Sequence, residues 1–418
     1  MRLIYKIAVN SYYTSLRALS PFNKKANEWV AGRAGLIKEF NTIKVNEPLI
    51  WFHCASLGEF EQGKPVMESF KKRFPDWLLL VTFFSPSGYE VRKDYELADF
   101  VYYLPQESSK NISVFMDVFK PKLAVFVKYE FWYDYMSALS KAHVPLVFIS
   151  STFRENQIFF KPYGKWFLNQ IKNVEMFFVQ DSISESLLRN NGISKVLVSG
   201  DTRFDRVLAT RNTDEDIPFL EKFKSNNKIV IFGSAWNVET GFAIKLAANL
   251  PNGWKIIFAP HEIDENKIVE FRSNISLSSV KITDLKSENA AGADVLIVNT
   301  VGQLARLYKY SNVAFVGGGF DDGIHNILEA LTSGVPVFFG PKHQKFWEGA
   351  SAIKEGVGFE IGSYDEFEAE YNQLLKSTDS LGILKKKCKQ YIIDRAGATE
   401  IISKRLNKLG QIISCQIC

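Results

Sequence analysis

The sequence predicts an α/β protein built from two doubly wound halves, and three observations lead there. Short, nearly continuous apolar runs alternate with amphipathic segments along almost the whole chain. Runs of that kind belong to parallel strands buried on both faces, with helices between them. The pattern breaks at RNTDEDIP (211–218) and restarts after KSNNK (224–228), which places a linker between the halves. With 418 residues the chain has length for two domains and an ample core.

The elements follow in order. MRLIYKIAVNSYYTSLRAL sets Leu3, Ile4, Ile7, Ala8, Tyr12, Leu16 and Leu19 near helical spacing, with Arg2, Lys6, Arg17, Lys24 and Lys25 around them. Residues 1–25 therefore read either as a helix lying on an anionic membrane surface or as one packed on its own domain. The first domain, 26–212, carries strand candidates at 49–56, 77–84, 100–105, 123–129, 145–150, 176–180 and 196–200. The second, 213–395, carries them at 228–235, 254–260, 280–285, 293–300, 312–319 and 335–340. A last helical segment, 396–418, is placed so that it can return to the first domain. Two such halves predict a ligand cleft between them, at the carboxyl ends of the strands.

Composition narrows the partners. A net charge of +5 suits anionic ligands or an anionic membrane and is too weak and scattered for nucleic acid. Four cysteines in a chain of this length make no disulfide framework, and the terminal C-Q-I-C lacks a second pair at zinc spacing. A reduced compartment fits that usage. No run of 18 apolar residues suggests a spanning helix, and no small-residue cleavage site suggests a signal peptide.

Two junctions carry the chemistry. In HCASLGEFEQGKPV (53–66) a strand meets a helix, but a single glycine, Gly58, is followed directly by an acid, Glu59, where anion-binding turns are glycine-rich. Position alone is also that of an ordinary first-turn acid. In NVAFVGGGFDDGIHNILEAL (312–331) a strand ends in Gly317, Gly318 and Gly319, whose missing Cβ atoms admit a ligand to the backbone. A helix expected to start near His325 and Asn326 offers free N–H groups to an anion. Glu329, one turn on, suits a ribose diol, although a tight turn with a structural helix start gives the same letters.

These segments, with A-S-L-G-E (55–59), F-S-P-S-G (84–88), Y-E-F-W (129–132), G-D-T-R-F-D (200–205), F-G-S (232–234), A-P-H-E (259–262) and N-T-V-G-Q-L (299–304), resemble the 3-deoxy-D-manno-octulosonic acid (Kdo) transferases. The resemblance implies a GT-B fold of two Rossmann-like domains. It also implies transfer of Kdo from CMP-Kdo to a lipid A precursor, with inversion and without metal or cofactor. The implied setting is peripheral, on the cytoplasmic face of a Gram-negative inner membrane.

By the same resemblance Glu59 is the general base, flanked on the acceptor side by Ser56 and Gly58. The helix dipole, worth roughly 0.3–1 kcal/mol, is expected to keep Glu59 ionised at neutral pH. Lys128 and Arg203 stand where the family has an acid and a lysine that stabilise the transition state, and Glu130 is placed to share the former role. The donor side falls on Ser234, Pro260, His261, Val301, Gly302, Gln303, Gly317, Gly318, Gly319, Asn326, Ile327, Leu328, Glu329 and Lys342. Other readings are a UDP-sugar transferase or epimerase of the same fold, and a two-lobed binding protein without catalysis.

Overall fold

The computed structural model describes residues 1–211, 216–375 and 378–417; positions 212–215 of the expected linker and Cys418 of C-Q-I-C lie outside the described residues. Two compact units emerge, one comprising Met1–Arg206 with the chain from Ala396 onward, the other Val207–Arg395.

The first unit is a parallel seven-stranded sheet. Its strands are β1 (Leu49–Cys54), β2 (Leu78–Phe83), β3 (Phe100–Tyr103), β4 (Leu123–Val127), β5 (Leu146–Ser151), β6 (Met176–Val179) and β7 (Val196–Val198). They run in the order β3-β2-β1-β4-β5-β6-β7. The chain thus starts centrally, winds to one edge, and returns to wind to the other. Alternate residues of β1 feed two cores: Leu49 and Trp51 join Phe126 and Phe148, whereas Ile50, Phe52 and Cys54 join Val125, Val127 and Ile149. Each such side chain, fully buried, contributes about 1.5–3 kcal/mol relative to exposure. That is why the strands read as continuous apolar runs. The second core is closed by the helix Ala398–Ile417, whose Ile402 and Leu406 pack among Phe60 and Phe70.

Most strands end one or two residues earlier than the apolar runs, because residues such as Ala55 and Ser56 leave the sheet to build the following turn. The N-terminal helix, Arg2–Leu19, packs one face on this unit. Tyr13 is buried, the Tyr5 hydroxyl donates to Glu107, and Asp134 pairs with Arg2 at 3.1 Å and Lys6 at 3.7 Å. Its other face leaves Leu3, Ile4 and Ile7 more than half exposed. Among the described residues no helix is long and apolar enough to cross a membrane.

The second unit repeats the plan with β8 (Lys228–Ala235), β9 (Trp254–Pro260), β10 (Ser279–Lys281), β11 (Val295–Ile297), β12 (Val313–Val316), β13 (Val337–Phe339) and β14 (Gly358–Glu360). Their order is β10-β11-β9-β8-β12-β13-β14, all parallel. The edge strand β14 was not expected from the sequence. At three residues, after a glycine-bounded turn, it is too short to carry a periodicity and exists because β13 offers it a register.

Candidate active site

In each sheet the winding reverses between two adjacent strands, the place where open α/β sheets generally bind their ligands. In the first unit these strands are β1 and β4, and every acceptor-side candidate follows one of them. Ser56 precedes the helix Leu57–Arg73, Gly58 sits in its first turn, and Glu59 is its third residue. The Glu59 carboxylate folds back to accept the Ala55 N–H. Lys128 and Glu130 follow the last residue of β4.

Glu59 is only 6% exposed, and its ionisation differs from the sequence expectation. Burial first, and then the negative charge of Glu130, push its carboxyl up to about 8, against the Ala55 and Ser56 N–H groups and the Lys128 cation. The helix start does favour the anion, as expected. It is outweighed because removing a carboxylate from water costs more than one exposed-turn dipole returns. The neighbouring Cys54 thiol is pushed up by burial, Glu59 and Glu130 together, so it stays protonated.

Lys128 adopts φ +62°, a left-handed conformation that costs a non-glycine residue of order 1–3 kcal/mol. It is held by its N–H on Ile149 O at 2.9 Å and by the Ser151 hydroxyl on its carbonyl at 2.6 Å. Ser150, at the end of β5, is left-handed as well. Strained residues of this sort cluster where side chains must be aimed.

Arg203 departs from expectation. Its guanidinium forks onto Asp201, Nε at 2.9 Å and the second nitrogen at 2.7 Å. Burial alone would raise Asp201, but the Arg203 charge and hydrogen bonds win and hold it below the usual carboxylate range. The cation foreseen for a phosphate or carboxylate is thus committed within the protein. Asp201 also accepts from Gln62 Nε2 at 2.9 Å, and the Thr202 hydroxyl donates to Gln62 O at 2.6 Å. Asp205 accepts the Thr399 N–H at 2.7 Å, fixing the last helix. G-D-T-R-F-D is therefore a junction clamping the Glu59 helix to its surroundings. Gln62 escaped the sequence reading because a lone amide one turn after an acid gives no signal.

In the second unit the winding reverses between β8 and β12. Ser234 (φ +51°) and Gly317 meet there so closely that a Cβ at 317 would lie 2.1 Å from the Ser234 oxygen. Gly318 is left-handed, and its N–H donates to the buried Glu239 at 2.9 Å. Gly317 N–H donates to Gly233 O. Two of the three amides expected to face an anion are thus used internally. These glycines allow backbones to touch.

The helix expected from His325 begins only at Leu328, because Asn326 Oδ1 takes the Leu328 N–H and Ile327 caps the turn. Asn326 also donates to Glu329 at 2.9 Å, so these two do come together, whereas Ile327 and Leu328 are core. His325 turns back instead, and its Nε2 accepts the Trp236 indole N–H at 3.0 Å. His261 stacks over both rings, 4.3 Å from Trp236 and 4.7 Å from His325. Burial and then His261 lower the His325 pKa, favouring the neutral ring. Pro260 ends β9 and His261 follows it, while beyond β11 Val301 and Gly302 are exposed and Gln303 is half-buried. Lys342 is exposed beyond β13, whereas His343 is buried against Glu360. Beside the Trp236–His261 stack a cavity of about 410 Å³ opens between the helices Asn237–Ala248 and Glu265–Ser273.

Two doubly wound parallel units, each with its candidate residues at or beyond the carboxyl ends of its strands, make up the GT-B class. The solved UDP-GlcNAc 2-epimerase from Neisseria meningitidis shares this architecture, with a TM-score of 0.62 over 86% of this chain and 100% of its own, at 17% identity. That likeness is one of fold. Residues 29–206 match the family described as 3-Deoxy-D-manno-octulosonic-acid transferase (kdotransferase). The 3-deoxy-D-manno-octulosonic acid transferase of Chlamydophila psittaci is 28% identical over 71% of this chain and 70% of its own length. That of Haemophilus influenzae is 25% identical over 84% of each. Over most of its length the chain is thus similar to Kdo transferases, and the family match covers most of the first unit.

Proposed function

We propose that the protein transfers Kdo from CMP-Kdo to a hydroxyl of a lipid A precursor by direct, inverting displacement, with Glu59 as general base. One observation carries the catalytic part of this reading. Glu59 is a nearly buried carboxyl at the switch point of the first unit, with its pKa raised to about 8. A base whose pKa lies near working pH accepts a sugar hydroxyl proton better than an ordinary carboxylate does. As the acceptor oxygen bonds to the anomeric carbon, its proton passes to Glu59 and the bond to the phosphate oxygen breaks, releasing CMP.

Lys128, facing Glu59 electrostatically, supplies the positive charge that the committed Arg203 does not. On the donor side, Asn326 and Glu329 would hold phosphate and ribose, with the His261 edge and Lys342 nearby. The mechanism invokes neither metal nor cofactor. Association with the cytoplasmic face of an inner membrane is supported by the exposed Leu3, Ile4 and Ile7 beside Arg2 and Lys6.

The test is Glu59→Gln, assayed by mass spectrometry of a lipid A precursor with CMP-Kdo generated in situ. Turnover should fall by about 10²–10⁴-fold with CMP affinity little changed. A variant that melts normally and keeps more than a tenth of wild-type turnover would remove the assignment.

A further inference from the structure

Behind Glu59 and Glu130 lie two side chains that the mechanism above does not use, His53 and Trp132. His53 is completely buried at the end of β1. Trp132 Nε1 lies 3.0 Å from His53 Nε2 and 3.1 Å from Glu130 Oε2. An indole nitrogen can only donate. His53 Nε2 must then present its lone pair, and the ring proton sits on Nδ1, 2.9 Å from Thr82 Oγ1. That hydroxyl also accepts from Trp51 Nε1 at 2.8 Å, which fixes its orientation.

His53 Nε2 and Glu130 Oε2 are 3.8 Å apart, close enough for an ion pair were Nε2 protonated. A proton there would point at the indole N–H already occupying the site. We propose that Trp132 is a positioning residue whose N–H, shared between His53 and Glu130, keeps Nε2 unprotonated and so leaves the Glu130 charge unquenched beside Glu59. Around Glu59 the other charged or titratable groups are Lys128, Cys54 and Tyr129, the last also facing Arg154. Of these, Lys128 opposes the effect of Glu130 on Glu59. Trp132 therefore acts on the base through its neighbour. It also connects outward, since its ring packs on Phe84 at 4.9 Å, ahead of the S-P-S-G turn.

The catalytic half of the inference rests on Glu59 being the base; the half concerning His53 does not. The experiment compares full-length wild type, Trp132→Phe, Glu130→Gln and the double variant, reading imidazole nitrogen shifts at neutral pH and the pH profile of transfer. Phenylalanine keeps the ring packing and removes only the donor. In wild type, His53 should show one protonated nitrogen, Nδ1. In Trp132→Phe both should be protonated, as the His53–Glu130 ion pair forms.

The acid limb of the rate should then move to lower pH by about one unit, as expected when a like charge beside a carboxyl is neutralised. Glu130→Gln should move it the same way, and the double variant no further. A merely structural Trp132 would lower the melting temperature or the plateau rate and leave the limb in place. A wild-type His53 protonated on both nitrogens overturns the proposal, as does a Trp132→Phe limb that stays put. If Trp132→Phe fails to fold, the wild-type imidazole spectrum and the Glu130→Gln limb still decide. Displaced imidazole shifts with an active Glu59→Gln enzyme would defeat the base assignment alone.

Discussion

Glu59 combines two opposing influences in one side chain. Its place in the first turn of a helix favours the anion, while burial and Glu130 favour the acid, and the balance settles near 8. The transfer rate should therefore rise with pH along a limb whose midpoint is near 8, since only the ionised carboxylate accepts the proton. A rate flat from the ordinary glutamate range upward would show that Glu59 titrates elsewhere or is not the base. Stability runs the other way. A carboxyl raised on folding stabilises the native state below the unfolded value of 4.5, and that contribution is lost as pH climbs through the folded value. Glu59→Gln, which cannot ionise, should consequently melt no lower than wild type on the alkaline side of 8.

Among the elements, the N-terminal helix and the β8–β12 junction invite direct tests. Removing the helix outright would also strip the buried Tyr13 and the Tyr5 partner of Glu107, so lost binding could not be told from lost folding. Replacing Leu3, Ile4 and Ile7 with Gln changes only the exposed face. Flotation with anionic liposomes should fall sharply at unchanged melting temperature. Undiminished flotation would detach this face from the membrane. At the junction, Gly317→Ala should lower stability by about 1–3 kcal/mol in denaturant titration, because the new methyl has only the rigid Ser234 backbone to displace. A variant as stable as wild type would mean that the glycines serve a ligand and not the packing.

For the molecule as a whole, the proposed function assigns a different part of the reaction to each unit. Glu59 and its neighbours belong to the first, and Asn326 and Glu329 to the second. Nucleotide affinity should accordingly survive changes at Glu59 and respond to Glu329. Glu329→Gln is expected to weaken CMP binding by about 1–3 kcal/mol in calorimetry, the loss of a charge-assisted hydrogen bond. Tighter binding of UMP or UDP than of CMP would instead favour a UDP-sugar enzyme.

The sequence by itself determined the architecture and singled out the strand-to-helix turn on which the proposed base sits. Continuous apolar runs can be satisfied only by strands covered on both faces, and a strand-to-helix turn bearing Glu59 is local in the chain. What needed the tertiary structure was the state of those groups. Ionisation depends on desolvation and on charges brought from other strands, and so Glu59 departs from its helix-dipole expectation. The partner of a cation likewise depends on packing: Arg203 is occupied by Asp201 two residues away, and that pair is held in place by Gln62 from a helix 139 positions earlier. Three glycines in a row look alike as letters. Only the approach of Ser234 and the buried Glu239 shows that two of their amides are already used. His53 and Trp132, 79 residues apart, carry no shared signal in the chain; adjacency of β1 and β4 in the sheet is what lets one donor meet two acceptors.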